Sequence, residues 1–206
     1  PFFFQAEDGI RDLRSLVGSE MCIRDSLVRE LIIEIGEDPT REGLRGTPER
    51  IAETYEEIFS GYDSDSELSI QFSEDSEVVI ATGIKFYSMC EHHMLPFFGK
   101  IDIAYSPNGR VFGISKLVRL VEKYSKRLQI QERLTKNIAD ELHSQGVKGV
   151  VVLTEAEHLC MKMRGVKNDA KVSSMSSRGI YENNQHREEV LSVMKHRKIE
   201  PSTLNS

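Results

Sequence analysis

The order of hydrophobic patterning predicts an α+β fold: an antiparallel sheet backed by helices and preceded by a short helical segment. Three observations carry this reading. Stripes of helical period come first and period-two segments follow. Two more helical stripes then separate the early strands from the late ones. A length of 206 residues suits one domain rather than two, and no internal repeat or linker divides the chain.

Pro1–Ser26 reads as translated sequencing-adapter sequence, or as a poorly ordered arm, and is expected to stand outside the functional domain. That domain is placed at residues 27–199, with helices over 27–61, a core over 78–199 and a flexible tail at 200–206. Leu27, Val28, Leu31, Ile32 and Ile35 form a helical stripe that Gly36 and Pro39 end. In "TPERIAETYEEIFSGY", Thr47 serves as N-cap, Pro48 takes the first helical position, and Ile51, Tyr55, Ile58 and Phe59 form the apolar face. "DSDSELS" is a polar loop.

Val78–Tyr87 predicts a strand. In "GKIDIAYS", Ile101, Ile103 and Tyr105 alternate with Lys100, Asp102 and Ala104. "SPNG" predicts a turn, with "RVFGI" returning as the partner strand. Ser115 is the expected N-cap of a helix that turns Leu117, Leu120, Val121, Tyr124 and Leu128 inward. Ile130, Leu134, Ile138 and Leu142 mark the next helix. "VKGVVVLTEAEHLCMKMRGV" reads as two strands around a short acidic turn, "KVSSMSSRGIY" as another strand and "QHREEVLSVMKHR" as the last helix.

Composition narrows the function. A net charge of −6 argues against general nucleic-acid binding, which needs a basic face, but leaves room for a small anion held by local cations. No apolar run approaches membrane-spanning length. Three cysteines without a paired framework point to a reducing, cytoplasmic setting, in which Cys90 and Cys160 serve as ligands rather than disulfide partners.

The chemistry concentrates in two segments. "MCEHHMLPFFGK" places Cys90, His92 and His93 within four residues. Read as a strand, His158–Arg164 puts His158, Cys160, Lys162 and Arg164 on one face, a set that no apolar core accommodates. Cys90 and His93, with Cys160 as third ligand, make a Cys2His set suited to Zn2+. Three protein ligands with one open position suit a catalytic ion; His92 or His158 as a fourth would make a structural one. Otherwise these two histidines flank the metal as proton-transfer groups. Lys116 and Arg119 on the first turn after Ser115, with Arg164, suit a phosphate site. Glu132, beside Gln131, is either a surface residue at a helix start or an acceptor for a donor edge such as that of guanine.

Together "GEDPTREGLRGTPERI", "MCEHHMLPFFGK", "VFGISKLVRLVE", "QIQERLT" and "HLCMKMRGV" resemble the GTP cyclohydrolase I family from about residue 27 to about residue 199. The resemblance implies the tunnelling fold (T-fold) and rings of subunits that stack, typically as a homodecamer with active sites between subunits. It implies zinc on Cys90, His93 and Cys160, and proton transfer by His92 and His158. Ser115 would assist a later sugar rearrangement. Lys116, Arg119 and Arg164 would hold a triphosphate, with Glu132 and Gln131 on the guanine. The implied reaction converts GTP and water to formate and 7,8-dihydroneopterin triphosphate, the first step of folate-type pterin synthesis. "KNDAKVSSMSSRG" departs from the family's Ser/Thr-rich segment in being poor in threonine. Two other readings compete: a T-fold protein that binds a purine or pterin without turnover, and a scaffold around structural zinc.

Overall fold

The structure, a computed structural model, describes residues 17–63, 71–74 and 76–197. It divides into two compact units, residues 1–58 and 59–206. Most of the expected arm, residues 1–16, and the expected tail, 200–206, lie outside the described residues, as does nearly all of the "DSDSELS" loop.

The first unit is a helix pair, α1 (Val17–Glu34) packed on α2 (Thr47–Ile58). The boundary expected at residue 27 therefore falls inside a helix. Of the expected α1 stripe only Ile32 is buried; Val28 is half-buried, and Leu27, Leu31 and Ile35 are exposed. In α2 the buried residues are Pro48 and Ala52. Between the helices the Asp38 carboxylate accepts hydrogen bonds from the Thr40 amide at 2.8 Å and hydroxyl at 2.7 Å. This side-chain turn is the sort that keeps a chain from continuing as helix.

The second unit is the α+β domain. Its strands are β1 (Gln71–Ser73), β2 (Val79–Cys90), β3 (Pro96–Ser106), β4 (Arg110–Phe112), β5 (Leu128–Gln129), β6 (Gly149–His158) and β7 (Val172–Gly179). Its helices are α3 (Ile114–Ser125), α4 (Gln131–Ser144), the single turn α5 (Leu159–Lys162) and α6 (Asn184–Arg197). The main sheet runs β5-β2-β3-β6-β7 and is antiparallel except for the short parallel pairing of β5 with β2.

Helices cover both faces of this sheet. On one face α3 and α4 bury Leu117, Leu120, Val121, Leu134, Ile138 and Leu142 against Phe86, Phe97, Ile101, Ile103, Tyr105, Val150 and Val152. Each such side chain contributes about 1.5–3 kcal/mol of transfer free energy. On the other face α6 seats Val190 and Met194 on Ala104 and Val151. This second layer changes the reading of β3. Asp102 and Ala104, which alternate with the apolar set, are both buried, and the Asp102 carboxylate accepts from the Gly83 amide at 2.7 Å where β2 bulges.

Three further expectations are corrected. "RVFGI" does not return beside β3: β4 pairs with β1 in a separate two-stranded sheet. The Phe112 amide donates to the buried Tyr105 hydroxyl at 2.9 Å, which ties β4 to β3 through a side chain. Ser115 is not an N-cap; α3 begins at Ile114 with Gly113 in that place, and Leu128 belongs to β5 rather than to the helix. The segment expected to hold two strands around an acidic turn holds one strand, β6, followed by α5, and its acidic residues Glu155 and Glu157 lie within the ladder against β3.

Gly99 shows how closely that ladder is drawn. A Cβ there would lie 1.9 Å from the Glu155 carbonyl oxygen and 2.8 Å from the Ala156 Cα, so only glycine lets β3 approach β6 at this point. Two residues before Gly99, Phe97 stands opposite His158, and this end of the sheet carries the site.

Candidate metal centre and adjoining cavity

The turn between β2 and β3 builds half of the site. Cys90 closes β2, and its carbonyl accepts from the amides of His93 and Met94, while its own amide donates to Leu95. Met94 sits at φ 50°, a left-handed conformation uncommon for a residue with a side chain. The turn thus folds tightly enough for His93 Nδ1 to come 3.9 Å from the Cys90 sulfur. Glu91 anchors the turn from outside: Arg133 on α4 forks onto both its oxygens at 2.5 and 2.9 Å. That guanidinium holds the Glu91 carboxyl below its usual range.

The other half comes from the end of β6. His158 is the last strand residue, and α5 follows at once. The expected alternation over His158–Arg164 is therefore wrong beyond its first residue. Cys160 reaches the site from a helical turn. The ligand atoms of Cys90, His93 and Cys160 lie within 4.8 Å of one another. Burial, then the neighbouring Cys90 thiol, pushes the Cys160 thiol up. Two thiols crowded beside an imidazole suit one soft divalent ion, which would take up the thiolate charge. Among the described residues the cluster has three members; His92 and His158 stand outside it.

These ligands open on a cavity of about 290 Å³ lined by Cys90, His92, His93, Gln131, Glu132, His158 and Cys160, with Gln129, Ile130, Met161 and Val172. His92 is largely exposed, 4.0 Å from Glu91. His158 is half-buried. Desolvation lowers its pKa, and the negative charge of Glu132 partly offsets this. Glu132 is exposed at the start of α4 and lines the cavity.

Gln131 lines the cavity with its side chain bonded within the chain. It is buried, its amide nitrogen donates to the Thr154 and Val172 carbonyls, and its oxygen lies 2.8 Å from His158 Nε2. With both donors spent on backbone, its oxygen faces the histidine. The expected anion residues are not brought to this cavity: Ser115, Lys116 and Arg119 lie on α3 and Arg164 follows α5, and none of them lines it. Arg164 is near enough to Cys160 to favour its thiolate. Sequence reasoning missed Phe97, which stacks under His158, and Arg133, which anchors Glu91. Only the adjacency of Arg133 to Glu132 could have pointed to the latter.

The fold is a T-fold sheet backed by helices, and beside a Cys–His–Cys group that could hold a metal ion it opens a cavity lined by two further histidines and a carboxylate. The profile of the family described as GTP cyclohydrolase I matches residues 24–195. GTP cyclohydrolase 1 of Hyperthermus butylicus is 51% identical over 183 residues, covering 88% of this chain and 92% of that one. GTP cyclohydrolase 1 of Clostridium kluyveri is 49% identical over 182 residues, covering 85% and 98%. That of Finegoldia magna is 52% identical over 164 residues, covering 77% and 89%. The chain belongs to the GTP cyclohydrolase I family.

Proposed function

We propose that this chain opens the imidazole ring of GTP, releasing C8 as formate and yielding 7,8-dihydroneopterin triphosphate, the first step of pterin synthesis. The observation that carries the reading is the convergence of Cys90, His93 and Cys160 with His92, His158 and Glu132 on one cavity. Zinc bound by the three ligands would supply a Lewis acid that acidifies water to near neutrality.

The chain's own groups do the rest. The Glu132 carboxylate accepts from the ring N–H and exocyclic amino group of guanine, which turns the imidazole edge inward. His158, stacked and half-buried, delivers a proton to N7 as the ring opens, and His92 on the open side of the cavity orients water and moves the second proton. Ser115 assists the later sugar rearrangement. Lys116, Arg119 and Arg164 take the triphosphate. Because the α3 cations do not line this chain's cavity, α3 of a neighbouring copy is the source that fits, in a ring assembly, a homodecamer, with sites between subunits. The setting is the cytoplasm; among the described residues no helix is long and apolar enough to cross a membrane.

The test is incubation of zinc-loaded protein with GTP. Formate and a pterin that fluoresces after oxidation are expected, and the absence of both would sink the reading.

A further inference from the structure

Gln131 is 2% exposed, and its amide is committed on both sides. The nitrogen lies 3.1 Å from the Thr154 carbonyl on β6 and 2.9 Å from the Val172 carbonyl on β7. A carboxamide nitrogen has two hydrogens, so both go to backbone acceptors. Turning the amide over would set its oxygen against two carbonyl oxygens, so its orientation is determined. The oxygen then faces His158 Nε2 at 2.8 Å. An amide oxygen only accepts, so Nε2 must carry the hydrogen.

The surroundings hold this arrangement rigid. The Thr135 hydroxyl donates to the Gln131 carbonyl at 2.8 Å and lies 2.8 Å from the Thr154 hydroxyl and 2.7 Å from that of Ser174. Phe97 lies parallel to the imidazole and fixes the plane of its ring. Among the described residues no hydrogen bond to His158 Nδ1 is found.

We infer that Gln131 is a positioning residue: it keeps the Nε2 hydrogen of His158 bound, so that Nδ1 is the nitrogen through which His158 takes up a proton and passes it to N7. The inference rests on the proton-transfer role proposed for His158. A histidine in the wrong tautomer is a poor acid–base group even when correctly placed, and in a serine-protease triad such a change costs on the order of 10⁴-fold in kcat.

Two measurements on the zinc-loaded, full-length protein test it. In Gln131→Met, which keeps length but neither accepts nor donates effectively, kcat is expected to fall on the order of 10²-fold with zinc content and KM for GTP close to wild type. A rise in KM with kcat retained would instead place Gln131 on the substrate and overturn the inference. The second measurement is a nitrogen-15 spectrum of histidine-labelled wild-type protein, assigned by comparison with His158→Ala. Hydrogen on Nε2 is expected for His158 whether or not Nδ1 is also protonated, and a ring carrying its hydrogen on Nδ1 alone overturns the inference. The spectrum decides the tautomer even if Gln131→Met does not fold. It also does so whether or not GTP is turned over, so failure of the GTP reading is told apart from failure of this one.

Discussion

His158 lies face to face on Phe97, with ring centroids 4.7 Å apart and planes 1° from parallel. The two are opposite one another in the β3–β6 ladder, and Phe97 is fully buried in the core under α3 and α4. One ring of the pair belongs to the hydrophobic core and the other to the cavity, so packing and chemistry meet at this contact. Replacing Phe97 with leucine keeps the apolar volume but removes the stacked plane. The expected loss is about 1–2 kcal/mol of stability, measured by denaturant unfolding. A drop in kcat larger than in zinc content would show the imidazole freed from its plane; unchanged kcat would assign the stack to stability alone.

The metal set predicts a division between its members and the histidines beside it. Cys160→Ala removes a soft donor from a three-member cluster and is expected to lose zinc and activity together. His158→Ala and His92→Ala are expected to keep zinc while lowering kcat by roughly 10²–10⁴-fold. Metal analysis of the purified variants checks this. Loss of zinc from His92→Ala would make that residue a fourth ligand and the ion structural.

Gly99→Ala is expected to be among the most damaging single changes outside the cavity. Its Cβ would stand 1.9 Å from the Glu155 carbonyl oxygen, a backbone atom that cannot step aside without parting β3 from β6. A loss above about 3 kcal/mol follows, read as a lowered unfolding midpoint or failure to accumulate soluble protein. Because the strain falls two residues from Phe97, any folded fraction should also bind zinc less well.

Tyr124 predicts an alkaline sensitivity. Its hydroxyl donates to the Glu141 carboxylate, which Lys123 also holds at 2.9 and 3.0 Å. Burial, then that hydrogen bond, raises the phenol well above its ordinary value. The folded state thus keeps a proton that the unfolded chain releases near pH 10. Stability from this contact is complete below that pH and is lost as pH rises above it. Tyr124→Phe should cost about 1.5 kcal/mol at neutral pH and flatten the decline between pH 9 and 11. An unchanged slope would remove Tyr124 as its source.

Much of the α+β order was legible because single elements advertise themselves by period. Leu134, Ile138 and Leu142 mark α4 by their spacing, and all three are buried as expected. Errors arose where a neighbour distant in sequence overrides the local pattern. Nothing within β3 says that α6 will cover Ala104 or that the bulge of β2 will bond Asp102. Nothing in "RVF" says that β1 rather than β3 will pair with it. The run "HLCMK" alternates well enough to pass for a strand, yet the chain leaves the sheet after His158 and coils into α5.

By itself the sequence determined the residue types that can do this chemistry: two thiols and an imidazole for a soft ion, two more imidazoles, and a carboxylate at a helix start. Those are properties of side chains, and they survive any error in secondary structure. Only the tertiary structure decided what each one faces. It put Cys160 beside Cys90 through α5, tied the Gln131 side chain to β6, β7 and His158, laid Phe97 beneath His158, and left the α3 cations away from this chain's own cavity. The physical reason is that hydrogen-bond partners and stacking partners here lie tens of residues apart, joined by strand register and by packing that no local pattern encodes.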